Sequence, residues 1–378
     1  MLIQIHILQN YAPSNLNRDD TGSPKTTYFG GVQRGRISSQ CLKRSMRLSE
    51  TFTDAFEGNG LLAKRTRRLP GLIEAALKEM QVDEGTISAI VQRVPEIGSE
   101  SGRGAGKAKE GEPLKTRQLI FVGQNEVKPL AEKLLALYQE KGSKAWKGLK
   151  IADITNALGK SVPRSVDVAM FGRMTTSAAF EDVQAAVQVA HALSVNAVEQ
   201  EFDYFTAVDD LQPDEEPGAG MIGDVEYNSS TYYKYINVHW EGLVENLGDD
   251  DDARDVARQA VAALLEAAAT AQPSGKQNTF AAHNLPDLVL VEVREKNLPV
   301  SYANAFIEPA RQKAKRTLMD DAVAKLGDYM ARVGQTYNLD NMDKRALTAV
   351  QDYTLPEAEV IPSLSKLQEW LVAQLPGA

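Results

Sequence analysis

The sequence predicts an α+β protein. Residues 2–9 alternate in the way a half-buried β-strand does, and PDLVLVEVRE at 286–295 predicts a second strand. Helical periodicity is strongest at 251–271, which is rich in alanine, and at 316–334. Strands and helices therefore both contribute, and they alternate along the chain.

The central part of the chain changes pattern several times. Short helices are predicted at 61–68, 69–80, 84–94 and 130–140, and the Gly-, Lys- and Glu-rich stretch between Glu96 and Arg117 is typical of a mobile loop. The run SVDVAMFGRM at 165–174 predicts a buried strand that ends in a glycine turn. An amphipathic helix is predicted at 181–194.

Composition limits the classes of protein. The chain has 378 residues, 43% of them hydrophobic, and a formal net charge of -9, which is ordinary for a globular protein. No apolar run approaches the roughly 20 residues that span a bilayer, and MLIQIHILQNY lacks the features of a signal peptide. These features predict a cytoplasmic protein without a membrane partner. Cys41 is the only cysteine, so an intrachain disulfide and a cysteine-based zinc site are excluded.

Residues 15–47, the basic segment, stand out in this acidic chain. Its only acidic residues are Asp19 and Asp20, against seven cations: Arg18, Lys25, Arg34, Arg36, Lys43, Arg44 and Arg47. A polyanion responds to charge within about 8–10 Å in physiological salt, so the segment can bind phosphates despite the net charge of the chain.

A helix that starts at Ser38 or Ser39 would divide these cations from apolar residues. One face would carry Gln40, Lys43, Arg44 and Arg47, and the other Cys41, Leu42, Met46 and Leu48. Backbone N–H groups at the helix start, followed by cations on one face, can hold consecutive phosphates. An ordinary solvated helix has the same pattern, and the nearby glycines and the cations Arg34 and Arg36 favour a binding site.

Two other charged regions are open to alternative interpretations. Residues 201–226 carry nine acidic side chains and no Lys or Arg, between strand-like runs, and predict a β-hairpin with an acidic tip. Such a hairpin could contact bases through Tyr204, Phe205, Met221 or Ile222, or pair with a basic surface on a neighbouring subunit. Around Trp146 lies a lysine cluster that serves either solubility or nucleic-acid binding: Lys141, Lys144, Lys147 and Lys150.

Several apparent motifs predict no cofactor or metal. GAGMIG at 218–223 follows PDEEP rather than a strand, and PSGKQN at 273–278 lacks the first glycine and the Ser or Thr of a phosphate loop. The four histidines are far apart and have no metal-type spacing, so structural or surface roles are predicted for them. Asp19 and Asp20 fit a solvated turn or a salt bridge to Arg18 better than a catalytic pair.

Five strings in order resemble one family. They are SNLNRDDTG, FGGVQRGRISSQCLKRSMR, DVAMFGRM, FDYFTAVDDL and SGKQNTFAAHNLPD, which lie between residues 14 and 287. Together they are similar to the CasC family, the crRNA-binding backbone subunit of the type I-E CRISPR surveillance complex Cascade. The sequence lacks the aromatic RNA-binding strand of a typical RRM, which places RNA binding on the loop and helix of the basic segment and on the acidic hairpin rather than on a bare sheet.

The resemblance implies a right-hand shape. A modified RRM-like, ferredoxin-like palm would carry a helical fingers insertion and a protruding β-hairpin thumb. The implied boundaries are 1–58 for the first part of the palm, 59–164 for the fingers, 165–198 for the second part of the palm, 199–231 for the thumb, and 232–378 for the remaining palm and C-terminal helices.

The resemblance also implies a non-catalytic role. Copies would stack head to tail along a crRNA, beside other Cascade subunits, and present the guide in segments to target DNA. The implied RNA contacts are Asn17, Arg18, Arg34, Arg36, Ser38, Ser39, Gln40, Lys43, Arg44 and Arg47, then Met170, Phe171, Gly172 and Arg173, and in the thumb Tyr204, Phe205, Thr206, Met221 and Ile222. Lys141, Lys144, Lys147 and Lys150 are the expected DNA contacts. The alternative is a type III-like subunit that cleaves target RNA through Asp19 or Asp20.

Overall fold

The computed structural model describes residues 1–97, 112–159, 164–175, 177, 179–207, 221–248, 250–339 and 343–377. The chain divides into two compact units. Unit 1 comprises Met1–Thr51, Gln188–His239 and Val261–Ala378, and unit 2 comprises Phe52–Val187 and Trp240–Ala260. The predicted loop between Glu96 and Arg117 and the predicted hairpin tip fall largely outside the described residues.

Strands of both units are defined as follows: β1 Leu2–Ser14, β2 Thr26–Phe29, β3 Val32–Ile37, β4 Ala63–Thr66, β5 Ile120–Gly123, β6 Val187–Val189, β7 Ala192–Ser194, β8 Glu201–Ala207, β9 Met221–His239, β10 Leu288–Arg294, β11 Asp343–Ala349 and β12 Ala358–Val360. Within the described residues, the large sheet has the order β12-β11-β10-β1-β9-β7-β3-β2, while β6 and β8 also pair with β9. The sheet is mixed, since β11 and β12 are parallel and β1 is antiparallel to both neighbours.

Helices account for most of the remaining structure: α1 Ser39–Arg47, α2 Glu50–Phe56, α3 Leu69–Glu79, α4 Glu84–Val91, α5 Val94–Ile97, α6 Gln124–Gly148, α7 Ile151–Leu158, α8 Val166–Phe171, α9 Trp240–Leu247, α10 Asp251–Thr270, α11 Gln277–Phe280, α12 Leu318–Tyr337 and α13 Leu364–Ala373. A 3₁₀ helix spans Ala303–Phe306. None of the described helices is long and apolar enough to cross a membrane.

The predicted strand at 2–9 is confirmed as the start of β1. This strand lies between β10 and β9, with Ile5 opposite Val291 on one side and Ile236 on the other. Helix α12 covers one face of this part of unit 1, where Leu326 and Met330 pack with Leu290. The strand predicted at 286–295 and the helices predicted at 251–271 and 316–334 are likewise present. The chain is therefore a mixed α/β protein.

Unit 2 contains a separate helical core. Leu77 of α3, Ile90 of α4 and Leu134 of α6 are fully buried in one apolar cluster. The helices predicted at 69–80, 84–94 and 130–140 are confirmed. The helix predicted at 61–68 is wrong, because Ala63–Thr66 pairs as strand β4 with β5, and such pairing is not visible in local sequence.

Two further predictions of secondary structure are wrong. Residues 166–171 form helix α8 rather than a strand, although the glycine turn is correct, since Gly172 ends the helix with φ 81°. A short, continuous apolar run cannot distinguish a buried helix from a buried strand. Residues 187–194 form β6 and β7 rather than a helix, because β9 offers them partners: the N–H of Ala190 donates to the carbonyl of Tyr235.

Candidate nucleic-acid interface

Helix α1 begins where the sequence predicts. Ser38 is the N-cap, and its Oγ accepts a hydrogen bond from the N–H of Cys41 at 3.3 Å. The N–H of Ser38 donates in turn to Oδ1 of Asn17 at 2.8 Å. Asn17 and Ser38, two of the predicted RNA contacts, therefore join the loop after β1 to the start of α1. This contact fixes the positions of the other predicted RNA-binding residues on both segments.

The two faces of α1 are largely as predicted. Leu42 and Met46 are buried, Gln40 and Arg44 are exposed, and Lys43 and Arg47 are half-buried. Burial lowers the pKa of Lys43 from its usual value, and burial likewise raises the pKa of the half-buried Cys41 thiol. The placement of Leu48 on the buried face is wrong, because it follows the last helical residue and its side chain is 54% exposed.

An open cleft of about 770 Å³ connects α1 with the loop after β1. Arg18 and Arg44 line it with their cationic side chains, and Asp19 and Asp20 line it as well. The remaining lining residues are Leu16, Asn17, Thr21, Gly22, Cys41, Ser45, Leu48, Gln272, Ser274 and Gly275. The fold thus places the two ends of the basic segment around this open groove, whose exposed arginines can face an extended anionic chain.

Asp19 is part of the turn that lines this cleft. Its Oδ1 accepts hydrogen bonds from the N–H and Oγ1 of Thr21 and from the N–H of Ser23, at 2.8–3.0 Å. These bonds, the side chain of Thr21 foremost, lower the pKa of Asp19. Two structural roles are expected for Asp19, a place in a turn and a salt bridge to Arg18. Asp19 takes part in the turn, and among the described residues it makes no ion pair with Arg18.

The segment 272–276 completes the cleft, and sequence reasoning missed it. Gly275 lies so close to the carbonyl of Leu16 that an added Cβ would overlap its oxygen and come within 2.7 Å of that of Asn15. Only glycine permits this approach. The string SGKQN is the sequence signal that could have identified this segment. It does not match a nucleotide-hydrolysing phosphate loop, but that mismatch does not exclude a structural role for Gly275.

His191 is a second residue of this region that sequence reasoning missed. Nδ1 of His191 accepts a hydrogen bond from the N–H of Ser39 at 3.0 Å, so this N–H at the start of α1 is already used. Burial, followed by the charges of Arg36 and Lys25, lowers the pKa of His191. The exposed imidazole therefore lies neutral beside two cations at neutral pH.

Arg34 does not face the solvent. Its side chain is fully buried, and its guanidinium donates to five carbonyls, those of Phe29, Ser194, Val195, Phe306 and Ile307. All of its donors are therefore used to join β3 to neighbouring segments. This observation argues against the RNA contact predicted for Arg34, since an arginine without a free or accessible donor cannot bind phosphate.

The segment 170–173 in unit 2 is similarly enclosed. Met170 is fully buried, and Arg173 is buried with its Nη1 2.8 Å from Oε2 of Glu126. Phe171 is half-buried against Phe52, with ring centroids 6.4 Å apart. Met170 and Arg173 thus have structural contacts that argue against direct RNA contacts, and Gly172, half-buried with a positive φ, remains accessible.

Strands β8 and β9 form an antiparallel two-stranded ribbon, as the sequence predicts. Glu201 is opposite Tyr227 and Ala207 is opposite Met221. Directly opposed residues share a face. One face, here called the aromatic face, carries Phe202, Tyr204, Thr206, Ile222, Asp224 and Glu226. The opposite face carries Glu201, Asp203, Phe205, Ala207, Met221, Gly223, Val225 and Tyr227, so each face has two carboxylates.

The predicted base-contacting residues are divided between these faces. Tyr204 and Ile222 on the aromatic face are 64% and 62% exposed. Phe205 instead lies across Gly223, where an added Cβ would come within 2.6 Å of its ring. The predicted base-contacting residues therefore cannot all insert between bases together, because they lie on opposite faces of the ribbon.

The lysine cluster of unit 2 surrounds a structural tryptophan. Trp146 is buried, and its Nε1 donates to the carbonyl of Ala89 at 3.0 Å. Helix α6 is interrupted at Gly142, where φ is 75°. All four lysines are exposed, at 141, 144, 147 and 150, and Lys141 pairs with Glu140 at 2.7 Å.

Comparison with known proteins places this chain. It aligns over 99% of its length with all of a chain from a solved structure described as "CRISPR RNA-guided surveillance complex, pre-nicking", with a TM-score of 0.80 and 31% identity. A second, described as "CRISPR RNA-guided surveillance complex", aligns over the same share with a TM-score of 0.71 and 28% identity. No curated protein matches the chain. The family model for CT1975-like protein matches residues 3–371, and the chain therefore belongs to the CT1975-like protein family.

Proposed function

We propose that this protein is a non-catalytic crRNA-binding backbone subunit of a CRISPR surveillance complex, of type I-E. The likeness over nearly the full length of a chain from an RNA-guided surveillance complex carries the proposal. The cleft of unit 1 supports the proposal, because Arg18 and Arg44 are exposed in it. The hydrogen bond between Ser38 and Asn17 fixes the two segments that carry these arginines. The type I-E assignment rests on the five strings quoted above.

Arg18 and Arg44 are the phosphate contacts best placed by the cleft. Both side chains are exposed, and they lie on two elements that Asn17 and Ser38 hold together. Contacts of this kind position a strand without reading its sequence. A subunit that repeats along a guide needs this property, since each copy meets different bases.

The aromatic face of the ribbon is the base-contacting surface in this proposal. Its Tyr204 and Ile222 project from opposite strands, two register pairs apart, and neither packs on the ribbon as Phe205 does. An exposed aromatic ring on a narrow ribbon can insert beside a base and interrupt stacking. Further copies and other subunits of the complex would then align along the same RNA.

Replacing Arg18 and Arg44 with alanine is expected to remove most of the co-purified RNA. Each charge-assisted hydrogen bond that is removed costs about 1.5–3 kcal/mol, so the double variant is expected to bind RNA at least about a hundredfold more weakly. The ratio of absorbance at 260 and 280 nm and the length of the extracted RNA measure retention. Lys344→Ala/Lys366→Ala, which removes two exposed lysines of unit 1, is the matched control. RNA of guide length at the wild-type level in the arginine variant contradicts the proposed cleft.

A target-RNA nuclease is the second candidate, because Asp19 and Asp20 lie in the same cleft. The binding role is favoured, since Oδ1 of Asp19 is occupied by three donors of its own turn. We expect the assembled complex to leave complementary RNA intact in the presence of magnesium. The measurement is gel electrophoresis of labelled RNA. Regularly spaced cuts that vanish in Asp19→Ala or Asp20→Ala would establish the nuclease instead.

The lysines at 141, 144, 147 and 150 are proposed to bind target DNA through its phosphates. Their replacement by alanine is expected to weaken DNA binding by the assembled complex. The slope of log Kobs against log salt should decrease by about 0.9 for each phosphate that the variant no longer neutralises. The control is Lys78→Ala, an exposed lysine of the same unit that pairs with Glu74. An unchanged salt slope assigns the cluster to solubility.

A further inference from the structure

His191 lies in a turn that the large sheet holds on both sides. The turn joins β6 to β7. Just before it, the N–H of Ala190 donates to the carbonyl of Tyr235 in β9 at 2.9 Å, and just after it, Ala192 pairs with Ile37 of β3. Strands β9 and β3 therefore fix the backbone that carries this imidazole.

The imidazole contacts the start of α1. Strand β3 ends at Ile37, and the N-cap Ser38 and the first helical residue, Ser39, follow directly. Nδ1 of His191 accepts a hydrogen bond from the N–H of Ser39 at 3.0 Å, across a separation of 152 residues. The first N–H groups of a helix have no partner within the helix, so an acceptor from elsewhere in the fold can hold them.

Two acceptors thus hold successive N–H groups at this end of α1. Oδ1 of Asn17 accepts from Ser38, and Nδ1 of His191 accepts from Ser39. Arg44, which lines the cleft, lies five residues after Ser39, or about one and a half helical turns. A shift of the helix start changes the direction of α1 and therefore moves the guanidinium of Arg44 within the cleft.

The bond from Ser39 requires one protonation state of His191. Nδ1 accepts only when it carries no hydrogen, so the imidazole is neutral and its hydrogen is on Nε2. The charged groups that act on this ring are Arg36 of β3 and Lys25 of the segment before β2, and both are cations. Burial, followed by these two charges, lowers the pKa of His191 and favours the accepting form.

We propose that His191 is a positioning residue for RNA binding, whose neutral imidazole holds the start of α1 so that Arg44 faces the RNA. The inference rests on the proposed function and adds a dependence on pH. His191 acts through Ser39 and does not itself touch RNA. Protonation places a hydrogen on Nδ1, which then cannot accept from Ser39, and the helix start is released.

The sign of the pH dependence follows from this bond. In the RNA complex His191 is neutral, whereas in the free protein it takes up a proton as the pH falls below the ordinary imidazole pKa of 6.5. The free protein must then lose this proton in order to bind RNA. RNA affinity is therefore expected to fall with pH below about 6.5, by at most about tenfold for each pH unit.

His191→Asn and His191→Ala test the positioning role at pH 7.5. The amide oxygen of asparagine can take the place of Nδ1 and does not titrate, so His191→Asn should bind RNA within about twofold of the wild type. His191→Ala leaves the N–H of Ser39 without its acceptor and is expected to bind about three- to tenfold more weakly, as for the loss of one hydrogen bond. Fluorescence anisotropy with an RNA that holds one copy measures these affinities, and circular dichroism checks that each variant is folded.

The pH profile separates positioning from a merely structural role. Between pH 7.5 and 5.0 the affinity of the wild type is expected to fall by about threefold or more relative to His191→Asn, since only the wild type titrates at this position. Comparison at each pH cancels the titration of Asp19 and Asp20, which both proteins share. His283→Asn, which replaces another exposed histidine of unit 1, is the control and should keep the wild-type profile.

Wild-type affinity of His191→Ala at pH 7.5 overturns the inference. A wild-type affinity that rises below pH 6.5 relative to His191→Asn also overturns it, because His191 would then bind phosphate as a cation. Both of these results leave RNA binding by the wild type intact, and with it the proposed function. A folded wild-type protein that binds no RNA at any pH overturns the proposed function together with this inference.

Discussion

Glu292→Gln is expected to lower the free energy of unfolding by about 3–5 kcal/mol, because it leaves buried cations without their carboxylate. Glu292 is fully buried in β10. Its carboxylate pairs with Nε of Arg345 at 2.7 Å and with Nη2 of Arg294 at 3.2 Å, and accepts from the hydroxyl of Tyr302 at 2.9 Å. Both arginines are nearly inaccessible to water, so water cannot replace the carboxylate.

Urea unfolding followed by circular dichroism measures this loss. The control is Glu357→Gln, which removes a second carboxylate that pairs with Arg345, at 2.9 Å. That side chain is 47% exposed, so the cost should be below about 1 kcal/mol. Equal effects of the two substitutions would show that burial of Glu292 carries no special stabilisation.

The same network predicts sensitivity to acid. Burial by itself would raise the pKa of Glu292, but hydrogen bonding from His6 and the charges of His6, Arg294 and Arg345 outweigh burial and lower this pKa from 4.5 to about 2. The stabilisation is therefore complete above the unfolded pKa and is lost as the pH falls from about 4.5 towards 2. It amounts to about 3 kcal/mol. Glu292→Gln should remove this part of the pH dependence.

Lys234→Met is expected to raise the free energy of unfolding at pH 7 by about 2–4 kcal/mol. Lys234 lies in β9 and is buried, with its Nζ 3.4 Å from the carbonyl of Ala268 and 5.8 Å from the ring centre of Tyr11. No carboxylate pairs with it among the described residues. Burial lowers its pKa from 10.5 to about 7, so the folded state disfavours the charge that the unfolded state keeps.

The sign of the pH dependence follows from this shift. Between about pH 7 and 10.5 the unfolded chain binds the proton of Lys234 and the folded chain does not, so stability should rise with pH across that window. The methionine variant should lack this rise, as shown by urea unfolding at pH 7 and 9.5. Lys366→Met, on the surface beside Glu369, is the control and should change stability by less than about 0.5 kcal/mol. A destabilised Lys234→Met would mean that the lysine contributes packing that methionine cannot supply.

Long, regular elements could be predicted from the sequence because their burial pattern is local. The helices at 251–271 and 316–334 and the strand at 286–295 have this property. The cap at Ser38 and the polar face with Gln40 and Arg44 could be predicted for the same reason, since capping and helical periodicity depend on neighbours within a few residues.

Other outcomes depended on distant partners. Residues 187–194 have helical spacing, but unpaired backbone groups of β9 made them strands. The charge of Arg34 suggested a phosphate contact, and five carbonyls from separated parts of unit 1 instead surround its guanidinium. Such hydrogen bonds cannot be predicted from the residue type alone. They depend on which buried carbonyl groups have no water to bind and therefore need a donor from the protein.

By itself, the sequence determined that this chain has a confined cationic segment, a capped helix that presents it, an acidic hairpin and the strings that resemble one family. Only the tertiary structure decided which cations remain accessible, that Gly275 closes the cleft against Leu16, and that Tyr204 and Phe205 lie on opposite faces of the hairpin. The physical reason is that charge and periodicity are local properties of a chain. Solvent access and the register of paired strands arise only when distant segments compete for the same space.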